Sequence, residues 1–109
     1  MTIRRSFEQD LENLHLDLIK MGSLVEESIE KTIQALKKQD TELAREIFRD
    51  DDIVDDLEKK IERRCLMLIA RQQPIAKDLR SISTALKIIT DMERIGDHSS
   101  DIAEITIRM

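Results

Sequence analysis

The stretch LAREIFRDDDIVDDLEKKIERRCLML, residues 43–68, decides the fold. Leu43, Ile47, Val54, Ile61, Cys65 and Leu68 recur in it at helical spacing and project within about 40° of one another at ~100° per residue, with Leu57 to one side. Charged residues fill the intervening positions and no Gly or Pro breaks the run. One long amphipathic helix is therefore predicted from Asp40 to about Arg71.

Working outward, the same period continues on both sides. Phe7, Leu11, Leu14, Leu18, Met21, Val25, Ile29 and Leu36 predict a first helix over about 7–38, with Ser6 and Gln9 in the form of a capping box. Lys37 and Lys38 complement the negative end of its dipole, and Asp40 suits the N-cap of the helix that follows, so the turn centres on Gln39. Beyond Arg71 the sole proline, Pro74, disfavours helix at the residue before it and suits a first helical position. Ile75, Leu79, Ile82, Leu86 and Ile89 then open a third helix over about 75–107. Near and past Ile89 the apolar residues spread around it as Ile88, Met92, Ile95, Ile102, Ile105 and Met109, which predicts a further packing partner.

With 109 residues, 2 Gly and 1 Pro, the chain has room for one domain and few turns. The expected fold is all-α, an antiparallel three-helix bundle over residues 1–109. A net charge of −5 and two aromatic residues remove the electrostatic and stacking terms that nucleic-acid binding draws on. No run approaches the ~18 apolar residues of a membrane span, so a soluble, cytoplasmic protein with no membrane insertion is expected. Cys65, the single cysteine, reads as a buried structural thiol.

Acidic pairs one helical turn apart are common here, and spacing alone selects none of them. Level does. For a turn between Gln73 and Pro74, facing positions on helices 2 and 3 have numbers summing to about 147, and Asp51 with Asp97 and Asp55 with Glu93 both come within one of that. Four carboxylates, Asp51, Asp55, Glu93 and Asp97, would share one patch. Close carboxylates repel, so one holds a proton or a cation intervenes, and oxygen-only ligands suit hard cations such as Mg²⁺, Ca²⁺, Mn²⁺ or ferric iron. The competing reading is a structural charge network with Arg45, Arg49, Lys59, Lys87, Arg94 and Arg108. Gly96, inside helix 3, implies a close approach there. Glu26 or Glu27 come level as outer ligands. His15 reads as surface and His98 as peripheral to the patch; neither completes a Glu-x-x-His spacing.

Four stretches resemble the PhoU family: Met21–Glu27, Asp51–Glu58, Ala70–Arg80 and Asp91–His98. The last two, ARQQPIAKDLR and DMERIGDH, are the specific ones. The resemblance implies a three-helix bundle whose paired Asp/Glu-x-x-x-Asp motifs, here Asp51 with Asp55 and Glu93 with Asp97, bind a multinuclear metal cluster of iron, Mg, Mn or Zn on the bundle surface. It also implies a non-catalytic regulator of phosphate uptake and phosphate-starvation signalling. Such a regulator contacts the ATPase of the phosphate ABC transporter and a phosphate sensor histidine kinase, and acts negatively. Family members carry two bundles in tandem, so this chain is expected to be either a fragment corresponding to an N-terminal half or a single-repeat member, two copies of which would pair as a dimer in place of a second bundle.

A carboxylate-bridged metalloenzyme and a purely structural interaction module are the alternatives. For the enzyme, no Ser/His/Asp or Cys/His set and no glycine-rich phosphate loop appears, and oxygen ligands alone do not specify a reaction.

Overall fold

A computed structural model describes the backbone of residues 3–72 and 75–109 and the side chains of residues 4–70 and 75–109. It contains three helices, α1 (Ile3–Lys38), α2 (Thr41–Gln72) and α3 (Ala76–Arg108), each packed against the other two. At ~1.5 Å per residue, the 36 residues of α1 account for the 56 Å long axis of the molecule. The all-α three-helix bundle expected from the sequence is the observed fold.

The first turn is where the sequence placed it. Gln39 adopts φ 51°, the left-handed conformation that ends α1, and the Asp40 amide donates back to the Ala35 carbonyl at 3.0 Å. Asp40 then caps α2, its Oδ1 accepting from the Leu43 amide at 3.0 Å. One residue thus closes one helix while its neighbour opens the next. The second turn, at Gln73 and Pro74, lies outside the described residues. The expected capping box is not formed: α1 is already helical at Ile3, three residues before Ser6, and Gln9 Nε2 donates instead to Asn13 Oδ1.

One apolar cluster fills most of the bundle, with Leu14, Met21, Ile61, Cys65, Leu68 and Ile82 at 2% exposure or less. Burial of each such apolar side chain is worth about 1.5–3 kcal/mol, and this packing rather than helix propensity supplies most of the bundle's stability. Cys65 is the buried thiol expected, its pKa pushed up to about 11 by burial.

Two stripes are corrected. On α3 the buried row is Asp78, Ile82, Ala85, Ile89, Gly96, Ser99 and Ala103, whereas Ile75 and Leu79 are exposed. The inward face is rotated toward the small residues because Ala, Gly and Ser let three long helices approach closely. Toward the end of α1, Thr32 and Ala35 are buried where Ile29 and Leu36 were expected. A second small core of Ala35, Ala44, Ile47 and Ala103 closes that end. The displaced apolar side chains remain on the surface.

Asp78 lies within the ARQQPIAKDLR stretch, where the sequence assigned it no role, yet it is among the most buried charged groups described. It accepts from Arg4 Nη1 at 2.7 Å, while the same guanidinium lies over the Phe7 ring, 5.2 Å from its centroid, and donates from Nε to Glu8 at 3.2 Å. The start of α1 is thereby pinned to the start of α3.

Candidate metal centre

Helical spacing puts Asp51 and Asp55 one turn apart on α2 and Glu93 and Asp97 one turn apart on α3. Antiparallel packing brings the two turns to the same height across the α2/α3 seam. Asp51, Asp55 and Asp97 each offer a carboxylate oxygen within 4.8 Å of the other two. Around a hard cation with oxygen ligands at about 2.4 Å, neighbouring ligands lie about 3.4 Å apart and opposite ones about 4.8 Å, so the three fit one coordination sphere.

Glu93 stands beside this trio and is hydrogen-bonded to Asp97. That hydrogen bond, then burial, push its carboxyl up to about 7. Asp51 is pushed up to about 6, first by burial and then by the charges of Asp55 and Asp97, and Asp55 is raised for the same two reasons. The electrostatic conflict anticipated from four level carboxylates is present.

Gly96 explains how the helices come so close. A Cβ at this position would lie 3.6 Å from Asp51 Oδ1 and 3.7 Å from Val54 Cγ1, so the α3 backbone faces the Asp51 carboxylate directly. A larger residue would hold α2 away from Asp97.

The cations weighed for a structural charge network form no ion pair with the patch among the described residues. Arg108 pairs with Glu104 at 2.6 Å, and Lys59 lowers the Asp55 carboxyl only through space. Among the described residues, no Lys, Arg or His nitrogen comes within salt-bridge distance of Asp51, Asp55, Glu93 or Asp97. Glu27, considered as an outer ligand, is held at 3.2 Å by Lys31, which also binds Glu46 at 2.8 Å. Glu26, His15 and His98 are exposed.

The sequence reading missed Glu58. It is half-buried, its carboxyl is raised first by burial and then by Asp55, and its charge in turn raises Glu93. Its position one turn beyond Asp55 was the available signal, obscured because Glu58 and Glu62 formed one of many similar pairs.

The PhoU domain profile matches residues 18–106. The chain is 51% identical over 107 residues to a phosphate-specific transport system accessory protein PhoU homolog from Clostridium acetobutylicum, covering 97% of this chain and 49% of that protein. A homolog so named in Aquifex aeolicus is 48% identical over 91% of this chain and 45% of its own length. The crystal structure of PhoU from Pseudomonas aeruginosa superposes with a TM-score of 0.91 at 37% identity, over 94% of this chain and 49% of that one. The chain spans about half the length of the curated relatives it matches. The fold, the sequence and the profile agree, and the chain belongs to the PhoU domain family.

Proposed function

We propose that this bundle is a metal-binding regulatory module of phosphate uptake, and that Asp51, Asp55 and Asp97, with Glu93 beside them, hold its metal. The observation that carries the reading is the trio of carboxylate oxygens within 4.8 Å of one another, with no neutralising side-chain cation at hand among the described residues. A bound hard cation or small cluster supplies positive charge and a rigid bridge between α2 and α3. Iron, Mg, Mn and Zn all accept such ligands, and Glu58 stands ready as a further one. The role is regulatory rather than enzymatic, in keeping with the accessory role in the relatives' names. The implied partners are the transporter ATPase and the sensor kinase, on the cytoplasmic side, with negative regulation as the output. Among the described residues, no helix is long and apolar enough to cross a membrane.

The matching relatives are twice as long, and the unpartnered apolar surface gives a second bundle somewhere to pack. Ile29, Ile33 and Leu36 of α1 and Ile95, Ile102 and Ile105 of α3 are all at least 38% exposed. By helical projection these two rows flank the α1/α3 seam toward the C-terminal ends of both helices. A second bundle, or a second copy of this chain, covers that seam.

Elemental analysis of the purified protein and titration with Mn²⁺ and Fe²⁺ test the metal reading. Stoichiometric metal that disappears in an Asp51→Asn, Asp55→Asn variant is the expected result. A wild-type protein that takes up no metal would sink it.

A further inference from the structure

The stretch Lys77–Arg80 belongs to the ARQQPIAKDLR motif, and the metal centre makes no use of it. Asp78 is accounted for by its bond to Arg4. Its neighbours face a different way. Lys77 and Arg80 rim a groove of about 390 Å³ on the α1/α3 seam, with His15 of α1 on the other side.

Side-chain size explains the groove. Ser81, Thr84 and Ala85 follow Lys77 and Arg80 at spacings of three and four, so short side chains line the trough while long cations stand at its rim. Leu18 and Ile88, both half-buried, complete its lining.

Its charge is opposite to that of the molecule. The chain carries a net −5, yet among the described residues no carboxylate lines this groove. Asp78 points inward to Arg4, and Glu8 of α1 is held by the same guanidinium at 3.2 Å. One arginine therefore engages two acidic groups, Asp78 and Glu8, while Glu12, one turn beyond Glu8, stays exposed outside the groove lining. The hydroxyls of Thr84 and Ser81 donate to the carbonyls of Arg80 and Lys77, which leaves the ammonium, the guanidinium and the imidazole as the donors that face a ligand.

We infer that this groove binds a small doubly charged oxyanion of the phosphate class, as the free ion or as a phosphate monoester, with Lys77 and Arg80 as its principal contacts and His15 as the third donor. A guanidinium presents paired N–H groups to two oxygens of such an anion, and a lysine adds a point charge. The inference rests on the α1/α3 seam alone and is independent of the metal centre on the α2/α3 seam.

The test is a titration of the isotope-labelled full chain with inorganic phosphate, and separately with phenyl phosphate, against chloride at matched ionic strength. Saturable shifts of the backbone amides of residues 77–88 and of the His15 ring are expected. Saturation by both probes means that either source of the phosphoryl group is accepted; saturation by one identifies that source. In Lys77→Gln with Arg80→Gln the affinity falls at least about tenfold, the consequence of losing charged hydrogen bonds, while the melting temperature stays unchanged because both side chains are exposed. Shifts that never saturate, that chloride reproduces, or that map only to residues 51–58 and 93–97 would overturn the proposal.

Discussion

A Cβ built on Gly96 would meet Asp51 Oδ1 at 3.6 Å, ordinary van der Waals contact across the seam between α2 and α3. The site thus tolerates one methyl group and no more. Gly96→Ala should raise stability by about 0.5–1 kcal/mol through the lower entropy of the unfolded chain. Gly96→Leu should lower it by about 1–3 kcal/mol through overpacking and should weaken metal uptake. Urea denaturation of both variants, with and without Mn²⁺, checks this, and a destabilised Ala variant would contradict the contact.

The raised carboxyls set the pH dependence of the metal-free protein. Asp51 moves from 3.8 to about 6 and Glu93 from 4.5 to about 7 on folding. Groups with raised folded values favour the folded state fully below their unfolded values and lose that contribution as pH rises through the folded ones. With chelator present, the melting temperature should therefore fall between about pH 4 and pH 7. Asp51→Asn should flatten this slope. Divalent cation should reverse it, because the ion competes with protons for the same oxygens. A metal-free protein more stable at pH 8 than at pH 5 would refute the assignment.

Gln39 holds φ 51° at the end of α1 without being glycine. A left-handed conformation disfavours a side chain by roughly 1 kcal/mol. Gln39→Gly should stabilise by about 0.5–1 kcal/mol, and Gln39→Val should destabilise by more than that. Thermal melts distinguish the three proteins.

Arg4 is bound to Asp78 at 2.7 Å across 74 residues of sequence, with Arg4 half-exposed and Asp78 at 7% side-chain exposure. Removing the exposed partner leaves a buried carboxylate without its cation. Arg4→Ala should lower the melting temperature more than Asp78→Asn does, and the double variant should be milder than the sum of the two. Additive effects in this cycle would show that the contact does not couple the helices.

The α1/α3 apolar seam should drive self-association of the isolated chain. Sedimentation at increasing concentration should show a dimer, and Ile33→Glu with Ile105→Glu should shift it to monomer with the helical content unchanged. A monomeric wild-type protein at high concentration would remove the seam as a self-association surface.

The sequence by itself determined the three helices, the turn at Gln39 and Asp40, and the level at which Asp51 and Asp55 meet Glu93 and Asp97. Each follows from chain-local rules: helical period, capping chemistry and the counting of residues across an antiparallel turn. It did not determine how each helix is rotated about its own axis. That choice exposed Ile75 and Leu79, buried Asp78 and Ala85, and turned Gly96 toward Asp51. Nor did it assign cations to carboxylates. Arg4 chose Asp78 and Glu8, and Lys31 chose Glu27 and Glu46. The pairings depend on distances between three helices at once, so only tertiary packing decides which acidic groups are neutralised and which are left facing one another.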